Sequence, residues 1–411
     1  MDRRRHRAIA VRPDRTQPLP GHPDDRSLEG ATPRSGKDRR GHRGRSGGRG
    51  NRHNSPAPLA RSDGRRAPRR GCTSRYRPTD RGAGKPARHR PLRTRGGEVP
   101  RGTDWYALQL ERSLGSMTPA YAERRLYAEL SRLQARAADL FDSVGAPKAS
   151  IGDRYARLWR DERFLYPDTD DGRARAVADM NRMLGTARAH IRSAFGEVPP
   201  WSVAAGARAL TTQEMAAGRG GYRDVPTPTR PGTYVVDLKE IRRRPRWTLP
   251  SVVAHELLPG HMIQLGLEGA RPPHPLRVDY AAAFVEGWGI YAEQLADRTG
   301  AYADAHDALG HVHWLIFRVA RALVDLGIHL HGWSIERARD RLIEWQGEPA
   351  YFAPFDVELA RISLEPAARV AEAMAWLTMA DHGRNRPPIA YARALLFEGR
   401  KRMTMNSGFI T

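Results

Sequence analysis

The sequence contains a single cysteine and no long apolar run. Cys72 lies in the first quarter of the 411 residues, which excludes an internal disulfide and leaves the later residues no thiol for a metal site or a nucleophile. No uninterrupted apolar run reaches the roughly 20 residues that cross a bilayer, and no apolar stretch behind the arginine-rich amino terminus resembles a signal peptide. These absences predict a cytoplasmic protein with no membrane partner.

Aromatic and large apolar residues are scarce in residues 1–100. The segment has one aromatic residue, Tyr76, and none of the nine Trp or nine Phe. It holds 28 of the 69 Lys and Arg but 9 of the 46 Asp and Glu, so nearly all of the net charge of +23 lies there. Too little apolar surface is present to offset the entropy of ordering the backbone. We predict a disordered basic segment over 1–101 and a folded domain over 102–411.

Three interpretations of the basic segment stay open. Its arginine clusters could bind nucleic acid through phosphates, although only Tyr76 could stack on a base. It could be a solvated, disordered extension without a function of its own. We favour the third interpretation, which is that the segment results from a misplaced start or a shifted reading frame in GC-rich DNA. Translation of such DNA in a wrong frame gives sequences that are rich in Arg, Gly and Pro and poor in aromatic residues.

Beyond residue 102 the apolar residues recur with a helical period. Stripes of this kind predict one helix that begins at Thr118-Pro119 and another that follows the acidic residues 167–171. The segment 233–238 follows a Gly- and Pro-rich loop and is the best strand candidate. Further helices are predicted over 249–258, 277–298, 308–331, 335–346, 364–381 and 388–401. This pattern predicts a mainly α-helical fold with a small β-ribbon beside the main cleft.

Residues 252–264, VVAHELLPGHMIQ, place polar side chains in an otherwise apolar helix. The zinc-hydrolase pattern H-E-x-x-H puts two imidazoles four positions apart on one helical face. Here His261 follows His255 by six positions, which on an unbroken helix would turn the two rings about 240° apart. Pro259 cannot donate to the carbonyl of His255, and Gly260 permits a sharp turn, so we predict a break that swings His261 back toward His255.

A zinc site with two histidines needs a third ligand, often a carboxylate, and an open position for water. Glu286 lies among Phe, Val and Trp, where a carboxylate is costly unless it meets a cation or a metal. Gly287 and Gly289 would let its helix approach the first one closely, and Glu293 is placed to orient the ligands. Each of these residues alone could be an ordinary core or helix-end residue, but together they favour a metal.

A second unusual stripe runs along the helix after residue 308. Arg318, Arg321, Asp325 and His329 share one face of a helix that is otherwise made of large apolar residues. One interpretation is that the stripe lines the catalytic pocket, where Arg318 or His329 would stabilise an oxyanion or anchor a substrate carboxylate. The other is a buried ladder of ion pairs that holds helices together. Both stay open.

Four motifs, in order, carry a resemblance to a known family: RPGTYVVDL (230–238), HELLPGH (255–261), FVEGWGIYAE (284–293) and RVARALVDLGIHLHGWS (318–334). Over roughly residues 102–364 the sequence resembles the family known as domain of unknown function 885, metallopeptidase-like helical proteins related to the gluzincins. The resemblance implies a zincin-like helical fold, Zn²⁺ held by His255, His261 and Glu286, and Glu256 as the base that activates water.

The sequence departs from this family in three places. Met262 stands where members usually have a further His. The segment 367–376, AARVAEAMAW, lacks the Gln and Tyr of relatives, although Arg361 and Pro366 remain. The catalytic domain of the family begins further upstream, so 102–411 is predicted to lack part of its amino-terminal region.

These residues predict a zinc-dependent hydrolase of peptides or small amides. Glu256 would take a proton from water and pass it to the leaving amine. The strand at 233–238 could accept an extended peptide as an added edge strand. Two alternatives stay open, namely a zinc enzyme for a specialised small metabolite and a catalytically inactive helical protein whose basic segment binds nucleic acid. The oligomeric state is left open.

Overall fold

A computed structural model describes residues 102–271, 281–302, 304–399 and 402–403. The basic segment predicted over 1–101 lies outside these residues. The helices are Thr103–Leu114 (α1), Pro119–Ser143 (α2), Ile151–Trp159 (α3), Asp170–Phe195 (α4), Thr212–Ala216 (α5), Leu249–Val252 (α6), His261–Gly269 (α7), Ala281–Arg298 (α8), Ala305–His331 (α9), Ile335–Gln346 (α10), Phe355–Leu364 (α11), Ala368–Gly383 (α12) and Pro388–Glu398 (α13). The strands are Ala205–Ala209 (β1), Tyr222–Asp224 (β2) and Gly232–Val236 (β3).

The prediction of a mainly helical fold is confirmed, and the predicted helix starts have a local cause. The hydroxyl of Thr118 accepts a hydrogen bond from the backbone N–H of Tyr121, 3.3 Å away, where α2 begins. Thr169 caps α4 in the same way through the N–H of Gly172. Each side chain satisfies one of the N–H groups that a helix leaves without an intrahelical partner.

Helix α9 lies at the centre of the helical core. Every residue from Ala308 to Gly327 is buried, because α2, α10 and α12 pack around this helix and its surface is apolar on nearly all sides. Among the residues that the structure describes, each helix is too short or too polar to span a membrane. The centre of α9 carries Arg318 towards the cleft described below.

The predicted small β-ribbon is a sheet of three strands in the order β1-β3-β2. β1 runs parallel to β3, and β2 pairs antiparallel to β3 with Arg223 opposite Tyr234. β3 is therefore the middle strand, and the expectation that 233–238 offers a free edge is wrong. The Asn181 side chain covers the outer side of β1, since it accepts from the N–H of Ala207 and donates to its carbonyl. The outer edge of β2 pairs with no other strand among the described residues.

Candidate metal centre

The helix that carries the first motif is broken where the sequence predicts. After α6 the chain forms a π-helical turn over Val253–Leu257, becomes extended at Leu258, passes through a cis peptide bond to Pro259 and begins α7 at His261. A Cβ on Gly260 would lie 1.9 Å from the carbonyl oxygen of His255, so this close passage requires glycine. The Nε2 atoms of the buried His255 and His261 lie 3.2 Å apart as a result.

Glu286 on α8 reaches the same point from the opposite side. Its Oε2 lies 3.6 Å from Nε2 of His255, and its Oε1 lies 3.8 Å from Nε2 of His261. A Cβ on Gly289 would lie 2.5 Å from the His255 ring, so this glycine permits the approach of α8. Gly287 has another neighbour: its Cβ would lie 2.7 Å from that of Ala375 on α12, so the expectation that it faces the first helix is wrong.

The indole of Trp288 connects α8 to the break. Its Nε1 donates a hydrogen bond to the carbonyl oxygen of Gly260 across 3.3 Å, and the whole side chain is buried. The helix that supplies Glu286 is therefore bonded to the turn that orients His261. This contact fixes the spacing between the two halves of the site.

The three side chains fit a zinc ion. Two donors on a tetrahedral zinc, each about 2.0–2.1 Å from the metal, lie roughly 3.3 Å apart. Nε2 of His255 lies 3.2 Å from Nε2 of His261 and 3.6 Å from Oε2 of Glu286, which is close to that value. The 3.8 Å contact with His261 is made by the other Glu286 oxygen, and one ligand atom from each of the three residues lies within 4.8 Å of the other two. Two imidazoles and one carboxylate would leave a fourth position for water, as in catalytic zinc sites.

Further side chains hold the histidine rings in place. Nδ1 of His255 donates to Oε1 of the buried Glu293 across 2.9 Å, which orients Nε2 towards His261 and Glu286. Nδ1 of His261 lies 3.2 Å from the side-chain oxygen of Gln264. His311 approaches the second oxygen of Glu293, 3.6 Å away. The predicted orienting position of Glu293 matches these contacts.

The pKa values of these groups reflect burial and close charges. Burial alone would raise the pKa of Glu293, but hydrogen bonds from His255 and His311 outweigh it and lower the pKa to about 2. Burial and the Arg318 charge lower the pKa of His255, yet the Glu286 and Glu293 carboxylates outweigh both and raise it to about 9. A divalent cation that binds His255 must therefore displace a proton.

Glu256 lies beside the cluster without joining it. Its carboxylate forms an ion pair with Arg223 on β2, and about a quarter of its side chain, 23%, is exposed to the cleft. Burial would raise its pKa, but the charges of Arg223, His255 and His261 lower it. An ionised, accessible carboxylate next to the donor set is the arrangement that a general base needs.

Arg318 is the one member of the α9 stripe that reaches the centre. Its Nη2 lies 3.4 Å from Nε2 of His255, and its Nη1 lies 3.6 Å from Oε2 of Glu286. The guanidinium is buried, and its Nε has no hydrogen-bond partner among the described residues. A buried cation at this point can stabilise negative charge that develops beside the donor set.

The other members of the stripe have structural contacts. Arg321 pairs with Glu358 and Glu372, and both oxygens of Asp325 accept from backbone N–H groups at the start of α12. His329 was predicted to be catalytic, but the structure does not bring it to the centre. Its Nε2 donates to the carbonyl of Ile362 across 2.8 Å, and eleven residues separate it from Arg318, roughly 16 Å along the helix. After Arg318 the stripe is therefore structural: Arg321 forms ion pairs, and Asp325 and His329 bond to the backbone of neighbouring elements.

Gly260→Ala is expected to destabilise the protein, because the added Cβ would collide with the His255 carbonyl and force the backbone apart. Overpacking of this kind costs about 1–3 kcal/mol, and a urea midpoint measures it. Gly269→Ala is the control at the far end of the helix that Gly260 precedes, since its Cβ would meet nothing within 4 Å. Equal midpoints for the two variants would contradict a steric requirement at the break.

The model of a family described as "Bacterial protein of unknown function (DUF885)" matches residues 72–367 of the chain. No curated protein matches it.

Two solved structures have a similar fold. The "putative lipoprotein from Colwellia psychrerythraea" superposes with a TM-score of 0.66 at 24% identity, over 74% of this chain and 54% of that one. The "putative lipoprotein of unknown function from Shewanella oneidensis" gives a TM-score of 0.60 at 17% identity, over 75% of this chain and 60% of that one. The chain thus spans little more than half the length of these relatives, and the likeness concerns the fold alone.

Proposed function

This chain belongs to the DUF885 family of bacterial proteins, and we propose that it is a zinc-dependent hydrolase of peptide-like amides. The observation that carries the proposal is the convergence of His255, His261 and Glu286 beside the accessible carboxylate of Glu256. Three donors with an open position and an adjacent base make up the parts of a hydrolytic zinc site. The proposed fold is zincin-like, which the broken motif helix, the Glu-bearing α8 and the small adjacent sheet support.

The residues of the chain divide the reaction among them. A bound zinc ion would supply a Lewis acid for the substrate carbonyl and would make water easier to deprotonate. Glu256 accepts the proton of the attacking water and delivers it to the leaving nitrogen. Arg318 stabilises the negative charge on the former carbonyl oxygen. Glu293 and Gln264 keep the His255 and His261 rings in their ligand orientation.

The edge of β2 offers a place for an extended substrate. β2 pairs only with β3 among the described residues, so its outer N–H and C=O groups can bond to a peptide backbone. Arg223 projects from this strand to Glu256, which places the free edge next to the candidate base. A peptide bound along β2 would run past the donor set.

A specialised small metabolite is the second candidate substrate, in place of a peptide. The segment 367–376 lacks the Gln and Tyr of relatives, and its Arg369 and Glu372 instead join the ion pairs of the α9 stripe. No residue of the segment 367–376 therefore takes the place of the Gln and Tyr that relatives have. A narrower substrate range than that of a general peptidase would follow.

The location of the protein is also a proposal. The sequence favours the cytoplasm, whereas the two similar structures are described as lipoproteins, which favours attachment to the cell envelope. Cell fractionation distinguishes the two.

The test of the proposed function is hydrolysis by the zinc-loaded chain. We expect it to cleave members of a mixed peptide library, detected by mass spectrometry of the products, and to lose this activity with a chelator and regain it with Zn²⁺. Cleavage that survives complete metal removal would contradict the proposal. So would a chain that holds one zinc per molecule and hydrolyses neither peptides nor small amides.

A further inference from the structure

Arg223 is the feature of the centre that the proposed chemistry leaves unexplained. Its guanidinium binds the Glu256 oxygen, and 28% of its side chain and 23% of that of Glu256 are exposed, so both face the cleft. Its neighbours on β2 point to other partners: the Tyr222 hydroxyl donates to Glu214, and Asp224 pairs with Arg230. Strand alternation therefore sends only Arg223 of this strand to the centre.

The ion pair weakens the proposed base without blocking it. The Arg223 guanidinium donates to Oε2 of Glu256 and stabilises the ionised carboxylate, so Glu256 takes a proton less readily while this bond is in place, although its other oxygen stays accessible. Arg223 is held by a single short strand, and its long side chain can change rotamer without disturbing the backbone. Arg318 cannot be the arginine that exchanges its partner, because its side chain is buried. A ligand group that binds the Arg223 guanidinium more favourably than Glu256 does would release the Glu256 carboxylate.

The charge balance of the centre indicates what that partner is. The centre holds three carboxylates and two guanidiniums: Glu256 pairs with Arg223, Glu286 lies against Arg318, and Glu293 accepts from His255. A bound divalent ion would add two positive charges and leave the centre with an excess of about one. Positive charge in a partly desolvated cleft raises the local concentration of anions. The complete centre therefore favours a substrate that carries a negative group.

We propose that Arg223 is the receptor for a carboxylate of the substrate and that it exchanges Glu256 for this carboxylate on binding. This inference rests on the proposed hydrolase function and names its substrate class, an amide with a carboxylate near the scissile bond. The planar guanidinium can bind the carboxylate through two parallel N–H···O bonds. Glu256 is then a stronger base while an acidic substrate is in place. Arg223 is a specificity residue of the centre.

Three peptide probes test the position of the carboxylate. One carries it on the carboxyl-terminal side of the amides, one on the amino-terminal side, and one has no carboxylate. They are N-acetyl-trialanine with a free carboxyl terminus, N-succinyl-trialanine carboxamide, and the uncharged N-acetyl-trialanine carboxamide. Binding to the zinc-loaded full chain is measured by calorimetry, and hydrolysis is followed separately. We expect one charged probe to bind about 10- to 100-fold more tightly than the uncharged one, as charged hydrogen bonds contribute.

Two substitutions of Arg223 and one matched control test the assignment. Arg223→Gln is expected to remove the preference for the charged probe, and Arg223→Lys to retain part of it because the charge remains. Arg230→Gln removes a charge from an exposed arginine beside the same strand, and we expect it to keep the full preference. A preference that survives in Arg223→Gln, or its absence in the unaltered chain, would overturn the inference. Melting curves and the Lys variant show that each chain is folded.

The two proposals fail in different ways. If the unaltered chain binds the acidic probe through Arg223 but cleaves no amide, the hydrolase proposal falls and the carboxylate receptor stands. If the chain and Arg223→Gln hydrolyse charged and uncharged probes alike, the receptor falls and the hydrolase stands.

Discussion

Glu256→Gln is expected to abolish hydrolysis while the protein still binds zinc. The amide has nearly the same shape but cannot accept a proton from water, and general base catalysis contributes about 10²–10⁴-fold to rate. Glu256 makes none of the three donor contacts of the centre, so the donors are unchanged. The value of kcat/KM for the best peptide of the library should fall by that factor, with one zinc per chain retained by elemental analysis.

Glu240→Gln is the matched control for this prediction. Glu240 is an exposed carboxylate that pairs with Arg243 on the surface, and its removal should leave kcat/KM unchanged. Full activity in Glu256→Gln would exclude Glu256 as the base. Loss of zinc in that variant would instead assign Glu256 to the ligand set.

His261→Ala is expected to lose the metal. The substitution removes one of three donors, and the effect should exceed the roughly 10–100-fold loss of affinity that follows when only a supporting residue is changed. After dialysis against a mild chelator, elemental analysis should find about one zinc per chain in the unaltered protein and almost none in the variant.

His313→Ala controls for the loss of a buried imidazole. His313 is also fully buried, and it donates to the carbonyl of Gln346 away from the centre. Its removal should lower the melting temperature without changing the zinc content. If both variants lose zinc equally, the loss results from unfolding rather than from the missing donor. If His261→Ala keeps the metal at full affinity, His261 is not a ligand.

The parts of the site that sequence reasoning found are those with local causes. The break at Pro259 and Gly260 follows from the missing N–H and the missing Cβ, both of which can be read from the chain. Glu286 was conspicuous because a carboxylate among Phe, Val and Trp needs a cation. Helices α2 and α4 are predictable because the apolar period of each lies within one segment, together with the Thr118 cap of α2 and the acidic residues at the start of α4.

The parts that were missed depend on tertiary neighbours. Arg223 lies in a Gly- and Pro-rich segment where no period marks it, and only the pairing of β2 with β3 brings it to Glu256. β1 is a short strand, and its parallel pairing to β3 has no signature in its own residues. The prediction of His329 as catalytic is wrong because a helical stripe shows only which residues share a face. His329 lies eleven positions after Arg318 on that face, too far along the helix to reach the same site.

The hydrogen bond from Trp288 to Gly260 bears on which cations the centre can admit. Because this bond joins the helix of Glu286 to the turn that precedes His261, it restrains how far the carboxylate can move relative to the second imidazole. Magnesium prefers a near-ideal octahedron of oxygen ligands, and calcium takes six to eight oxygens. Two nitrogens and one restrained carboxylate would suit neither ion, so we expect a metal bound here to be a borderline transition ion such as zinc.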